Sequence, residues 1–350
     1  MANDFPYKTV LITGGTGTFA HAMVRYLLDN VPEIAIRLLS RDEYKQQVMA
    51  REFFDARLRF LLGDVRDVER LKVACQGVSL VLHGAALKHI EKGEYDPLEF
   101  VATNVWGTAN VVAACHAAGV EQAILLSTDK SVHAINVYGS TKALAERIFV
   151  QGQHYAPHGT RFAVVRYGNI MGSRGSVIEV WQQAIQQHKP LILTDARMSR
   201  FWMQSAEAVR LVLWTALQKI RGGVVVPHLP AFHMIDLAKA MLPDGLDYQV
   251  SGVRPGEKLA EDLMTIDEQQ RAYWYAPSEQ VPCLYLVPPA IQHWETPVVG
   301  TGWQPPPVPC LTGAVAGSPG PLVAYNSAAW QWRLGVEDLR QRLEQLHKDA

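Results

Sequence analysis

The chain has 350 residues, 33 Lys and Arg against 34 Asp and Glu, a net charge of −1 and an apolar share of 48%. This fits one large domain or two closely joined ones with a sizeable core, and it excludes wholesale disorder. The charge balance supplies no global attraction to nucleic acid or anionic lipid, and no run of about 18 apolar residues offers a membrane span.

In chain order, residues 1–7 are short and polar, with no charged-then-apolar leader. Residues 8–13 read as a β-branched strand that ends in glycines. An amphipathic helix follows over residues 20–29, with Met23, Leu27 and Leu28 on one side. Further strands are predicted at residues 34–39, 59–62, 78–83, 122–127 and 162–166, with helical patterns over 99–118 and 137–154. Short, nearly all-apolar strands alternating with helices indicate a parallel sheet covered on both faces. That is an α/β, Rossmann-like, doubly wound fold. Beyond about residue 170 the alternation weakens, which suits a smaller C-terminal substrate-binding region. Residues 296–321 hold seven prolines and five glycines and read as a loop. Val336, Leu339, Leu343 and Leu346 sit at helical spacing and predict a final amphipathic helix.

Cys75, Cys115, Cys283 and Cys310 form no CxxC pair and have no His at zinc-finger spacing. Neither a metal site nor a disulfide scaffold is expected. Isolated cysteines fit a reducing compartment, the cytoplasm.

The turn after the first strand is Thr13-Gly14-Gly15-Thr16-Gly17-Thr18-Phe19-Ala20. Gly14 permits the tight turn, Gly17 lets backbone approach a pyrophosphate, and the small Ala20 allows close helix–strand packing. The helix N-terminus then offers its N–H groups to the phosphates. A glycine-rich turn without a ligand is the bland alternative, and the strand–turn–helix context weighs against it. Ser40, Arg41 and Asp42 follow the second strand. An Arg at this tip accommodates a 2′-phosphate, so NADP is favoured over NAD. A surface pair of Arg41 with Asp42 or Glu43 is the structural alternative. Asp64 and Val65, after the third strand, reach the adenine edge or else form a turn after Gly63.

Ser127-Thr128-Asp129-Lys130 closes the fifth strand, and Tyr138-Gly139-Ser140-Thr141-Lys142 opens the next helix. Tyr138 and Lys142 are four residues apart and share a helix face. A Lys near a Tyr hydroxyl favours the phenolate, which can take a proton from a sugar hydroxyl as hydride leaves the same carbon. Asp129 and Lys130 add an acid and a base, which an elimination needs. Alone, they would read as a surface ion pair.

The stretches TGGTGTF (13–19), SRDEYKQ (40–46), GDVRD (63–67), AALKH (85–89), STDK (127–130), YGSTK (138–142), VRYGNIMGSRGSV (165–177), RMSRFW (197–202) and RPGEK (254–258) complete a pattern. The chain resembles the extended short-chain dehydrogenase/reductase family over nearly its whole length. Within it, the chain is similar to the inverting UDP-N-acetylglucosamine 4,6-dehydratases of bacterial polysaccharide and pseudaminic acid biosynthesis. The resemblance implies a homo-oligomeric cytoplasmic enzyme that takes a UDP-sugar and recycles NADP. It implies an NADP-binding Rossmann domain over residues 1–168, a mainly substrate-binding region over 169–295, the loop over 296–321 and a C-terminal segment over 322–350. Thr13, Gly14, Gly17, Thr18, Phe19, Ser40, Arg41, Asp64 and Val65 would bind NADP. Ala86 and Lys88 would line the boundary between cofactor and substrate, with Asn104 in support. Tyr138 and Lys142 would run the redox step, with Asp129 as general acid and Lys130 as general base. Lys130 would have to be neutral, and burial near Lys142 would lower its pKa. Asn169, Arg174, Ser176, Thr194, Arg200, Arg254 and Glu257 would hold the UDP-sugar, and Lys88 would also touch it. Ser131, Ala134, Gly84 and Glu91 depart from the residues frequent in the family at those positions.

Two other functions share these motifs. One is a 4-epimerase or 5,6-dehydratase on a UDP-sugar, and Asp129 and Lys130 beside Tyr138 argue for elimination over simple epimerisation. A non-catalytic NADP-sensing protein has no reason to keep all four groups together.

Overall fold

The structure is a computed structural model that describes residues 5–155, 159–173, 175–243, 245–275, 283–290, 302–304, 325–329 and 331–348. Arg174, Cys310 and nearly all of the proline-rich stretch 296–321 lie outside the described residues.

The first half alternates as the sequence predicts. It runs β1 (Thr9–Thr13), α1 (Thr18–Asn30), β2 (Ala35–Ser40), α2 (Glu43–Glu52), β3 (Leu58–Leu62), α3 (Val68–Cys75) and β4 (Leu80–His83). Two short helices, α4 (Ile90–Tyr95) and α5 (Pro97–Phe100), lead through a π-helical turn (Val101–Trp106) into α6 (Gly107–Ala118). The chain continues through β5 (Gln122–Thr128), a 3₁₀ turn (Asp129–Ser131), α7 (Val137–Tyr155) and β6 (Arg161–Tyr167). Sequence periodicity reads residues 99–118 as one helix. The π-helical turn breaks it, and such bulges mark functional sites.

Strands β3-β2-β1-β4-β5-β6 pair side by side in parallel, so the strand order reverses between β1 and β4. Every residue of β4 and β5 is buried, because helices cover both faces. A ligand crevice is expected at the carboxyl ends of the strands beside that reversal.

The second half adds β7 (Asn169–Ile170), α8 (Val177–Gln186), β8 (Leu191–Leu193), β9 (Ser199–Met203), α9 (Ser205–Leu217) and β10 (Gly223–Pro227). Then come β11 (Ala231–His233), α10 (Met234–Met241), β12 (Tyr248–Val250), β13 (Asp262–Met264), α11 (Ile266–Arg271), β14 (Tyr273–Tyr275) and β15 (Leu284–Val287). The last described elements are β16 (Trp303–Gln304), β17 (Tyr325–Asn326) and α12 (Val336–Lys348). The main sheet does not stop at β6. Strand β10 joins it in parallel, and β15, β14 and β16 extend it antiparallel. Short strands with little alternation gave no sequence signal for this extension.

A second hydrophobic cluster lies apart from the main core. Ile178 and Trp181 of α8, Trp202 of β9, Phe232 of β11, Leu237 of α10 and Leu339 and Leu343 of α12 build it. It carries the wall opposite the phosphate loop. Cys75, Cys115 and Cys283 are free and buried. Cys75 and Cys115, read as isolated from sequence, share a hydrogen bond where α3 meets α6. No helix among the described residues is long and apolar enough to cross a membrane.

Candidate active site

A cleft of about 1010 Å³ runs along the carboxyl ends of the main-sheet strands. Its floor is the loop from β1 to α1. Gly14 has φ +70°, and a Cβ there would lie 2.9 Å from the Gly84–Ala85 backbone. Gly17 caps α1 with no side-chain hydrogen bond, and the first turn holds no acidic residue. The helix thus presents a positive end without a side-chain acceptor. His83 ties β1 to the neighbouring strand, with Nδ1 2.7 Å from Thr13 Oγ1 and Nε2 3.1 Å from Thr108 Oγ1. Burial, helped by the Lys142 cation, pushes His83 down to about 3, so its ring is neutral.

At the tip of β2, Arg41 is half exposed, with NH1 3.6 Å from Asp64 Oδ2. It does not pair with Asp42, which instead caps α2 by accepting from Lys45 N at 3.0 Å. Burial opposes ionisation of Asp64, but hydrogen bonds from Arg66 hold its carboxyl below the usual range. Ser40 is fixed by Gln46, whose Nε2 donates to Ser40 Oγ at 2.9 Å. Lys45, which sequence reasoning passed over, lines the same end of the cleft.

The candidate catalytic stretch sits on the 3₁₀ turn after β5. Asp129 is fully buried and accepts at Oδ1 from Thr128 Oγ1 and Lys130 Nζ, both at 3.0 Å. Its Oδ2 has no hydrogen-bond partner among the described residues. Lys130 also donates to Asn169 Oδ1 at 2.9 Å and lies 3.3 Å from Glu261 Oε1. Here the structure corrects the sequence expectation. Burial lowers the Lys130 pKa as foreseen, but Asp129 and Glu261 outweigh it and hold the ammonium well above the usual range. Lys130 rests charged, because it has two carboxylates beside it and not only a second cation.

Tyr138 and Lys142 share one face of α7. Lys142 Nζ donates to the Leu126 carbonyl at 2.8 Å. Burial lowers Lys142 to about 8 against the opposing pull of Glu146. Burial raises the Tyr138 hydroxyl, while the Lys130 cation and a hydrogen bond with Thr128 work the other way. The cation felt most at Tyr138 is therefore Lys130, where the sequence reading had Lys142. Thr128 also joins Tyr138 to Asp129, a link the sequence reading lacked.

Gly139 makes this geometry possible. A Cβ there would fall inside the contact radius of the Lys130 carbonyl oxygen. Gly139→Ala should push α7 off the 3₁₀ turn and cost about 1–3 kcal/mol, the usual range for overpacking. Urea unfolding would measure the loss, and activity should fall further than the stability change explains.

The opposite wall carries Asn169, Ser176, Thr194, Arg200, Arg254 and Glu257, with Lys88 and Ala86 on the near side. Arg200 is buried on β9 and donates to the Ser199 carbonyl at 2.7 Å. Arg254 is exposed, 3.5 Å from Glu91 across the cleft. Buried Ser176 Oγ and Glu257 Oε2 have no hydrogen-bond partner among the described residues. Unpaired buried polar atoms are rare, and their gathering here suits a polar ligand. Asn104, on the π-helical turn, clamps the near loop. It accepts from Leu87 N at 2.8 Å and donates to the Leu87 carbonyl and to Thr141 Oγ1. Of the described residues singled out from sequence as direct contacts, all line the cleft except Asp129, which lies just behind it. Arg174 is outside the described residues.

Two further features were missed from sequence. Glu261 lines the cleft at 2% exposure, its backbone held by Ser327, whose Oγ accepts from Glu261 N at 2.9 Å. The Ser327 N–H donates back to the Glu261 carbonyl at 2.8 Å. Behind the catalytic turn, Arg166 bridges Glu146 and Glu268. Glu146 Oε1 accepts in turn from Ser127 Oγ at 2.5 Å and Ser131 Oγ at 2.7 Å. RPGEK marks the neighbourhood of Glu261, but only the tertiary fold turns it toward Lys130.

Comparisons with known proteins agree with this architecture. The profile of a polysaccharide biosynthesis protein family matches residues 10–280. A UDP-N-acetylglucosamine 4,6-dehydratase (inverting) from Campylobacter jejuni is 42% identical over 272 residues, covering 77% of this chain and 81% of that protein. A UDP-glucose 4-epimerase from Rickettsia rickettsii is 39% identical over 277 residues, with 77% and 81% covered. Among solved structures, Pen from Bacillus thuringiensis is similar with a TM-score of 0.82 and 31% identity, covering 98% of this chain and 99% of that one. The chain belongs to this polysaccharide biosynthesis family, within the extended short-chain dehydrogenases/reductases.

Proposed function

We propose that the chain is an NADP-dependent UDP-N-acetylglucosamine 4,6-dehydratase that inverts carbon 5. The observation that carries the reading is the placement of Asp129, Lys130 and Tyr138 within one hydrogen-bonded cluster at the end of β5. An oxidation alone needs the Tyr. Only an elimination needs the additional acid and base. The 42% identity to the Campylobacter jejuni dehydratase supports the same choice.

The residues present fit a dinucleotide. Gly14 leaves no room for a Cβ, and the end of α1 has no side-chain cap. These are the features a pyrophosphate requires. Thr13, Thr18, Phe19, Val65 and Ala86 line its path. When bound, the nicotinamide would supply the hydride acceptor for oxidation at sugar carbon 4 and the hydride donor for reduction at carbon 6. Tyr138 takes the carbon 4 hydroxyl proton. Lys130 removes the carbon 5 proton, which the new ketone makes acidic. Asp129, with Oδ2 unpaired, protonates the departing carbon 6 hydroxyl. Arg200 and Arg254 hold the diphosphate, for which a guanidinium fork is suited. Ser176, Thr194, Asn169, Glu257 and Lys88 orient the sugar and uridine.

Residues 1–168 serve the cofactor and residues 169–295 mainly the substrate, in a homo-oligomeric cytoplasmic enzyme. Arg41, with Lys45 beside it, selects the 2′-phosphate. Arg41→Ala should weaken NADP binding by about 10–100-fold, the worth of a charged hydrogen bond, and leave NAD binding nearly unchanged. Calorimetric titration with each dinucleotide would measure both.

Proton NMR with UDP-N-acetylglucosamine in D₂O tests the whole reading. A carbon 6 methyl signal, a 4-keto product and deuterium at carbon 5 are expected without added reductant. A 4-epimer with no methyl signal would place the chain with the epimerases instead.

A further inference from the structure

Lys130 Nζ faces three acceptors, Asp129 Oδ1 at 3.0 Å, Asn169 Oδ1 at 2.9 Å and Glu261 Oε1 at 3.3 Å. Glu261 is 2% exposed and yet lines the cleft. Its Oε2 accepts no hydrogen bond from the described residues. Lys258 Nζ is 3.9 Å from that oxygen, and Arg200 Nε is 4.0 Å from Oε1. The other charged and titratable groups nearby are Asp129 and Tyr138, with Asp262 and His133 beyond Lys258. A resting ammonium cannot serve as a base. It must first pass a proton to something that touches it, and Asp129, to act as the acid, has to enter the elimination already holding a proton of its own, which leaves Glu261.

We propose that Glu261 is the proton-holding partner of Lys130, taking the ammonium proton for the elimination and returning it afterwards. This rests on the dehydratase reading of the site. The Lys130 N–H bond breaks and an O–H bond forms on Glu261, so the ion pair becomes a neutral amine beside a neutral acid. The amine lone pair then takes the carbon 5 proton. The C–H electron pair becomes the carbon 5–carbon 6 double bond, and the carbon 6 hydroxyl leaves as water with the Asp129 proton. Lys130 passes the captured proton to Asp129 across their 3.0 Å contact. Glu261 then returns its own proton to Lys130. All three groups end as they began, and Tyr138 and solvent supply the proton for the opposite face of carbon 5.

A purely structural ion pair would only hold Lys130 in place. Glu261→Gln separates the two, because the amide still accepts a hydrogen bond but takes no proton. Glu261→Asp keeps a carboxylate. The protein is labelled with [ε-¹³C]lysine, and the Lys130 resonance, assigned with Lys130→Gln, is titrated without substrate. Turnover of UDP-N-acetylglucosamine in D₂O is followed on the same variants. In Glu261→Gln, Lys130 should lose its proton about one pH unit or more below wild type. Its kcat should fall about 30-fold or more, with KM within about threefold. Glu261→Asp should recover about fivefold or more of the lost kcat. A Lys130 resonance that does not move overturns the proposal. So does an active wild type whose Glu261→Gln variant keeps its kcat, or a loss shared equally by the Asp and Gln variants. A wild type that makes no methyl product overturns the dehydratase reading itself.

Discussion

Tyr138→Phe should lower turnover by about 10²–10⁴-fold, the range for loss of a positioned general acid–base group. Phe keeps the ring and its packing on α7 and removes only the hydroxyl. KM for the UDP-sugar should therefore change little, because the proposed diphosphate contacts lie on the opposite wall. Steady-state kinetics by NMR would show the split.

Arg166→Ala should cost about 3–5 kcal/mol of stability, the usual consequence of breaking a buried ion pair from one side. Arg166 is 4% exposed, and its five donors reach Glu146, Glu268 and the Leu263 carbonyl. Removing it leaves buried Glu146 and half-buried Glu268 with no cation between them. The unfolding midpoint in urea would report the loss. Because Glu146 also holds Ser127 and Ser131, the turn carrying Asp129 and Lys130 should loosen in the molecules that stay folded. Activity per folded molecule should then fall as well. Replacing Arg166, Glu146 and Glu268 together by apolar residues of similar volume should recover much of the stability but not the activity.

The sequence carried the nucleotide half of the fold because its signals are local. Strands β1 to β6 are short apolar runs, and the phosphate loop lies within eight consecutive residues, 13–20. Asp129, Lys130, Tyr138 and Lys142 were legible for the same reason, since a strand end and a helix start present them together. Other features depend on contacts distant in sequence. Arg166 reads as the end of a strand, and its value comes from Glu146 and Glu268 on two other elements. Glu261 reads as one more charge after RPGEK until β13 and β17 turn it inward. The charge state of Lys130 was misjudged on that account, because one of the two carboxylates that hold its proton comes from 131 residues away, at Glu261. The π-helical turn keeps helical hydrophobicity and differs only in its hydrogen-bond step, which periodicity does not register.

The two hydrogen bonds between Glu261 and Ser327 set an order during synthesis. Residues 9–167, with the phosphate loop and the turn that carries Asp129 and Lys130, leave the ribosome first. Glu261 gains these partners only once Ser327 has followed. A nascent chain therefore carries Lys130 well before the carboxylate that faces it is fastened in place.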